Sequence, residues 1–224
     1  MYSYNMAPKT TRANASPGTT VGDEVVHTDG RRARGERTRL AVLEALLRLV
    51  EDGELRPTAQ AVAAKAGVAL RTVYHHFEDV EALRRMALDL QLRRHSELLV
   101  TVDPKSELDE RVHVVARQCR KLFEAVTPIR RAAMFDEQSS PEMAEGLRRA
   151  RLVRRNFVTS AFAGELAKRS GEGRTLHDAI DAATSWESWY YTRSSLDRSA
   201  VAAEKILALT LHDLLTGRSA PARR

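Results

Sequence analysis

The side chains best equipped for chemistry are scattered along the chain. Seven histidines (His27, His75, His76, His95, His113, His177 and His212) and a single cysteine, Cys119, are the natural candidates for bases, nucleophiles and metal ligands. No two histidines stand four apart on one helix face, and neither a Cys-x-x-Cys nor a His-Glu-x-x-His motif occurs. His113 and Cys119 are six residues apart, roughly 600° around a helix, so they face different ways. There is no glycine-rich phosphate loop and no Gly-x-Ser-x-Gly. The pattern therefore offers no catalytic centre, no metal site and no cofactor, and Cys119 reads as a small buried hydrophobe.

A denser signal lies between Thr58 and Phe77, TAQAVAAKAGVALRTVYHHF. Arg71, Thr72, Tyr74 and His75 occupy the outward positions of a short helical stretch. Arg71 can fork onto a guanine, and the other three can grip phosphate oxygens or pack on a thymine methyl. A tyrosine at an exposed position of so short a helix is poorly explained by core packing.

Two short helices must position these groups. Thr58 is a suitable N-cap for the first, which runs through Val62 and Ala63 to Ala66. Gly67 follows, where a tight turn needs a positive φ. The second helix covers about Leu70 to His76. Val62, Ala66, Val68 and Val73 fall where such a pair buries apolar groups. This is helix-turn-helix spacing, whose second helix can enter a major groove about 12 Å wide. An αα-hairpin inside an ordinary bundle has the same small residues around glycine. The exposed polar set on the second helix favours the nucleic-acid reading.

Charge is concentrated in the same region. The chain carries 36 Lys and Arg against 30 Asp and Glu, a net charge of +6. Over residues 31–76 nine bases face five acids, whereas over residues 1–30 two face three. Arg31, Arg32 and Arg34 suggest a basic arm before the first helix, suited to DNA backbone or minor-groove contact. A solvated charge run is the plainer reading of the same residues. Residues 1–30 show no apolar period and are expected to be a disordered tail.

From about Gly35 the pattern is helical to the end. Leu40, Leu43, Leu46, Leu47 and Val50 form one face of a helix ending near Asp52-Gly53. Asp79 caps a helix running to about Leu99. Further helices are expected over 106–125, a short 129–135 segment, a long one from Ser140-Pro141 to Gly171, then 175–195 and 199–215. The fold class is all-α. Expected domains are the tail 1–30, a helix-turn-helix DNA-binding domain with its basic arm at 31–80, a larger helical domain at 81–217, and a tail at 218–224.

Residues 35–100 resemble the DNA-binding domain of the TetR family of bacterial transcriptional regulators. The resemblance rests on a helix, then Thr-x-x-x-Val-Ala-x-x-Ala-Gly-Val, then Thr-Val-Tyr-His-His-Phe, then a helix opening with Glu81, Ala82 and Leu83. It implies that Thr58 and Gln60 meet the DNA backbone, that Arg71 and Thr72 contact DNA from the recognition helix, and that Tyr74 and His75 reach phosphate or base edges. His76 and Phe77 would pack beneath. Two positions depart from the family: Ala69 stands where serine usually caps the recognition helix, and Val80 where a lysine usually touches the backbone.

The resemblance also implies that the C-terminal domain dimerises and holds an effector. Ala179, Ala182, Ala183, Trp186, Trp189 and Tyr190 share a helical face, and Ile206, Leu207, Leu209, Leu211, Leu214 and Leu215 are apolar around more than one stripe of the last helix. A homodimer through these helices is expected, although burial within a larger monomer fits them too. Two recognition helices about one DNA turn apart, ~34–36 Å, imply a palindromic double-stranded operator. Phe123, Met134, Phe135, Phe157, Phe162 and Trp186 are the candidate lining of an effector pocket, each equally at home as core filling. An apolar or aromatic ligand is expected there, with Arg130, Arg131, Gln118 or Glu187 as polar anchors.

The expected protein is thus a repressor released from its operator by a small molecule. A ligand-independent regulator, an activator and a helical adaptor share parts of the pattern. No apolar run approaches the ~18–20 residues needed to span a bilayer, no segment resembles a secretory signal, and one cysteine forms no intramolecular disulfide. A cytoplasmic location without membrane contact is expected.

Overall fold

The computed structural model describes residues 21–169 and 173–217, with side chains from Gly30 onward. Its described residues form helices joined by turns, with no strand among them. The helices are α1 (Val21–Glu51), α2 (Ala59–Ala66), α3 (Leu70–His76), α4 (Val80–Ser96), α5 (Leu108–Ala133), α6 (Pro141–Ala161), α7 (Ala163–Lys168), α8 (Gly173–Ala183), α9 (Trp186–Ser194) and α10 (Ala200–Thr216). The all-α expectation holds for them.

Contacts divide the chain into two units, residues 1–38 and 39–224. In the first, the described residues are the leading part of α1. Its turns are held by Arg37 Nε donating to the Ala33 carbonyl at 3.3 Å and Thr38 Oγ1 donating to the Arg34 carbonyl at 3.1 Å. A helix start near Gly35 is thereby corrected to Val21. No proline stands between Pro17 and Pro57, and extending an existing helix costs far less than nucleating one. Apolar periodicity reports burial, so it registers only the part of α1 that packs. Of the tail expected at 1–30, residues 1–20 lie outside the described residues, as does the tail at 218–224.

The second unit is organised around α5, which packs against α4, α6, α9 and α10. Val112, Val115, Ala116, Cys119, Phe123, Val126 and Ile129 are buried along it. Spacings of three and four put them on one face, each larger side chain contributing ~1.5–3 kcal/mol on leaving water. α10 answers with Ala203, Leu207, Leu211 and Leu215, all buried and each four residues from the last.

Three helix limits differ from the sequence reading. Pro128 lies inside α5 rather than ending it; Val126, Ile129, Ala132 and Ala133 are buried beyond or beside it, and this packing outweighs the lost hydrogen bond. The long helix from Ser140 breaks at Phe162, with φ −121°. There the Ala161 carbonyl accepts from Arg111 Nη1 at 2.7 Å, an oxygen otherwise available to the next turn. The expected 175–195 helix is two, α8 and α9. Thr184 Oγ1 donates to the Ile180 carbonyl at 2.8 Å, and Ser185 caps α9 by accepting from Ser188 N at 3.1 Å. Gly171, the expected stop of the long helix, lies outside the described residues.

Candidate nucleic-acid interface and ligand cavity

The α2–α3 pair is built by its caps. Thr58 Oγ1 accepts from Ala61 N at 3.1 Å, and such a cap is worth about 1 kcal/mol. At the other end Gly67 has φ 69°. Gly67 N donates to the Ala64 carbonyl at 3.2 Å and Val68 N to the Ala63 carbonyl at 3.0 Å. These two bonds are the Schellman motif, which the left-handed residue makes possible. α3 then opens at Ala69 with no side-chain cap, so only its carbonyl serves the turn, accepting from Thr72 N at 2.8 Å. Asp79 caps α4, its Oδ1 accepting from Ala82 N at 2.6 Å.

Burial sorts the faces of this motif. Val62, Ala63, Val73 and Phe77 are in the core, and Arg39 lies 6.0 Å from the Phe77 ring centre. Gln60, Arg71, Tyr74 and His75 are exposed, with Tyr74 at 51% despite its large ring; Thr72 and His76 are half-buried. Neither the Arg71 guanidinium nor the Tyr74 hydroxyl has a hydrogen bond or ion pair among the described residues. The His75 ring meets only the His76 ring, edge-on at 5.3 Å. A buried base supporting an exposed, unpartnered polar row is what a surface reading base edges and phosphates requires. Arg31, Arg32 and Arg34 are also exposed, but on α1 in the 1–38 unit, so they stand on a helix and not on an arm preceding one.

A cavity of about 350 Å³ opens in the second unit between α4, α5, α6 and the start of α9. Its apolar wall includes Leu88, Leu92, Leu122, Phe123, Ile129, Leu147 and Trp186. Small-molecule sites span about 300–1,000 Å³, and this wall adds charged groups, five of them arginines, to its apolar part. Of the expected lining, Phe123 and Trp186 are present, with Arg130 and Glu187 as polar groups. Met134 and Phe135 are instead exposed on the turn after α5, because α5 runs on through Pro128 and delivers them past the bundle end. Phe162 is fully buried at the α6–α7 break, under Arg111 at 5.8 Å, and Phe157 is half-buried outside the lining. Arg131 is exposed, and Gln118 Oε1 accepts from Val100 N at 2.7 Å away from this cavity. Periodicity missed the α4 and α6 contributions, since Arg93, Arg149 and Arg151 look like surface charge in the sequence.

The cavity's polar side is an ion-pair network. Arg130 reaches Glu137 at 3.0 Å and Glu187 at 2.9 Å, and Arg151 reaches the same two carboxylates at 2.6 and 3.4 Å. Burial pushes the Glu137 carboxyl upward, but Arg151 and Arg130 together more than offset this and leave it below the ordinary value. Glu187 is lowered in the same way, its burial outweighed by its backbone hydrogen bond, Arg130 and Arg151. Trp186 is fixed by Nε1 donating to Thr127 Oγ1 at 3.0 Å, by stacking on Tyr190 at 4.8 Å, and by Arg130 at 4.9 Å from its ring centre. Burial pushes the Cys119 thiol up to about 12, which makes it inert at neutral pH.

The expected dimer surface separates into two groups. Trp189, Leu207 and Leu211 are buried within the chain, because α9 and α10 pack on α5 through them, so they are not a free interface. Ala179, Ala183, Tyr190 and Leu214 are half-buried, and Ile206 is exposed. Tyr191, Val201 and Leu209 are exposed alongside Ile206, with Leu209 at 64%.

Among the described residues no helix is long and apolar enough to cross a membrane, and no group of three His, Cys, Asp or Glu residues could hold a metal ion. No sequence-family model matches the chain, and no curated protein matches it in sequence. Solved structures do match. A Mesorhizobium loti protein assigned to the TetR family of transcriptional regulators superposes with a TM-score of 0.60 at 16% identity, over 82% of this chain and 98% of its own. A Rhodococcus transcriptional regulator gives 0.59 at 19% identity, over 84% and 99%. A Streptomyces coelicolor protein assigned the same role gives 0.57 at 18%, over 78% and 98%. The chain has the all-α fold of these regulators, a TetR-family member among them.

Proposed function

We propose that this protein is a TetR-type DNA-binding transcriptional regulator, acting as a homodimer on a palindromic operator. The observation that carries the reading is the row Gln60, Arg71, Tyr74 and His75, exposed and without hydrogen bond or ion pair among the described residues, on a tightly turned α2–α3 pair with Thr58 capping α2. Thr58, Thr72 and the Arg31, Arg32 and Arg34 group supply further DNA contacts. Residues 31–80 form the DNA-binding domain and residues 81–217 the dimerisation and effector domain. The exposed apolar residues of α9 and α10, with Ala179, Ala183, Tyr190 and Leu214, form the dimer surface. The protein works in the cytoplasm, without catalysis.

The cavity beside Phe123 and Trp186 is the effector site, and its occupation releases the operator, making the protein a repressor. Such release requires the ligand to prefer the DNA-incompetent spacing; tight binding to both states would move nothing. The cavity is suitably placed to act on the α2–α3 pair, because α4 contributes Leu88 and Leu92 to its wall and begins at the Asp79 cap, two residues after Phe77 ends α3. Selection of bound sequences from random DNA by the purified full-length protein tests the reading. An inverted repeat supports a sequence-specific dimer. A folded protein that enriches no motif at low or moderate salt, with or without cell extract, refutes it.

A further inference from the structure

The reading of the cavity as an effector site leaves the ligand's chemistry open, and the wall charges close it. We propose that the cavity takes a small molecule with an apolar body and a carboxylate head, the head held at the Arg93 and Arg149 side. This inference rests on the effector reading above.

Three observations point the same way. First, the guanidinium of Arg93, on the cavity wall, has no hydrogen bond or ion pair among the described residues; only its carbonyl is engaged, by Ser96 Oγ at 2.7 Å. Arg149, on the facing α6, has only a long approach to Asp89 at 3.9 Å and shares Glu145, at 3.4 Å, with Arg148. Two cations thus stand at the solvent-exposed rim of the cavity with unused donors. A carboxylate accepts from such forks in a paired geometry that an alcohol or amide cannot match.

Second, the wall favours an anion over a cation. Its acids are Asp89 and Glu187. Glu187 Oε1 is taken by Arg130 and Arg151, and Asp89 lies beside Arg149. A cation approaching either acid would meet the repulsion of the arginines beside it. The indole of Trp186, the stronger cation-attracting ring of the wall, already stacks on Tyr190 and carries Arg130.

Third, the remaining arginines of the wall are neutralised, so the anion's place is specific. Arg154 is held by Asp181 at 2.7 Å and by Thr184 Oγ1 at 2.6 Å. Arg130 and Arg151 share two carboxylates between them. The apolar body then lies against Leu88, Leu92, Phe123, Leu147 and Trp186, where its burial supplies most of the affinity. The head sets the selectivity.

The test is titration of the full-length protein with decanoate, decan-1-ol and decyltrimethylammonium, read by intrinsic fluorescence. The chain has two tryptophans, and Trp186 lines the cavity. Decanoate should bind saturably and about threefold or more tighter than either analogue, the margin expected of a charge pair at a part-exposed rim and shrinking with added salt. Arg93→Gln should bring decanoate to the level of the alcohol with circular dichroism unchanged, and Arg93→Lys should retain most of the preference. Equal or tighter binding of the alcohol or the ammonium overturns the proposal. So does an Arg93→Gln protein that keeps the preference, or the absence of saturable binding by decanoate. The DNA selection is read separately. A recovered inverted repeat without carboxylate preference sinks only this proposal, whereas carboxylate preference without any DNA motif sinks only the regulator reading.

Discussion

Asp136 is the carboxylate whose removal should be felt most in the second unit. It lies on the turn between α5 and α6 with its side chain 6% exposed. Its Oδ2 is 2.7 Å from Arg84 Nε on α4, and its Oδ1 is 3.7 Å from Arg56 Nη2, one residue before the Pro57-Thr58 start of α2. Asp136→Asn keeps the volume and removes the charge. Breaking a fully buried pair by deleting one partner costs about 3–5 kcal/mol, because the other charge is left without compensation. Two features of this pair bring the figure down. Arg84 keeps 16% exposure, and its Nε approaches Oδ2 closely without hydrogen-bond alignment. We expect a loss of ~2–3 kcal/mol for Asp136→Asn, a similar loss for Arg84→Met, and a double variant recovering about 2 kcal/mol of their sum. Arg56→Ala should cost well under ~1 kcal/mol, since Arg56 is 62% exposed and its pairing is screened. Urea unfolding followed by helical circular dichroism measures all four proteins. An Asp136→Asn loss below ~0.5 kcal/mol, or additive single losses, would show that the pair is not a net source of stability. An Arg56→Ala loss equal to that of Arg84→Met would show that exposure is a poor guide here.

Gly67→Ala should cost ~1–2 kcal/mol from left-handed backbone alone, because an added Cβ meets nothing within 4 Å; a loss above ~3 kcal/mol in the same urea assay would mean that packing, not φ, is responsible. Arg71→Ala should weaken binding to a selected operator by ~1–3 kcal/mol while random DNA loses much less, by fluorescence anisotropy; equal losses on both would make Arg71 a phosphate clamp. Leu209→Glu should shift the protein from dimer to monomer in sedimentation equilibrium with its helix content intact, and an unchanged mass would place the dimer surface elsewhere. Glu137 and Glu187 are held below the ordinary 4.5, so they stabilise the fold above that pH and lose the contribution as pH falls toward their lower folded values. Unfolding measured from pH 7 to pH 3 should therefore show a shallower loss in Glu137→Gln and Glu187→Gln than in the parent, and parallel curves would disprove the linkage.

Much of the α2–α3 pair was legible without coordinates because its determinants are local. A cap at Thr58, a left-handed Gly67, the missing cap at Ala69 and the cap at Asp79 are each settled within three or four residues of backbone, and the structure has all four. Of the outward set Arg71, Thr72, Tyr74 and His75, the structure exposes Arg71, Tyr74 and His75 but half-buries Thr72, and Phe77 is buried as the family resemblance implied. The all-α class followed from the same periodicity.

The long-range choices were not legible. Whether Pro128 stops α5 depends on how much apolar surface α1, α4 and α6 bury against the residues beyond it, where Leu46, Leu88 and Met143 surround Ile129, Ala132 and Ala133. Whether the helix after Ser140 continues past Phe162 depends on an arginine fifty residues upstream taking the Ala161 carbonyl. Trp189, Leu207 and Leu211 are apolar on faces that a dimer or a monomer core could claim, and only the packing of α9 and α10 on α5 gave them to the core. The cavity is the clearest case. Its apolar wall draws on helices far apart in sequence, and the arginines facing it differ in nothing local from those on the surface. Local propensity decides caps, turns and faces because the interacting groups are covalent neighbours. The closure of a cavity, the survival of a strained helix and the pairing state of a charge are decided by which distant side chains arrive, and that is a property of the tertiary structure alone.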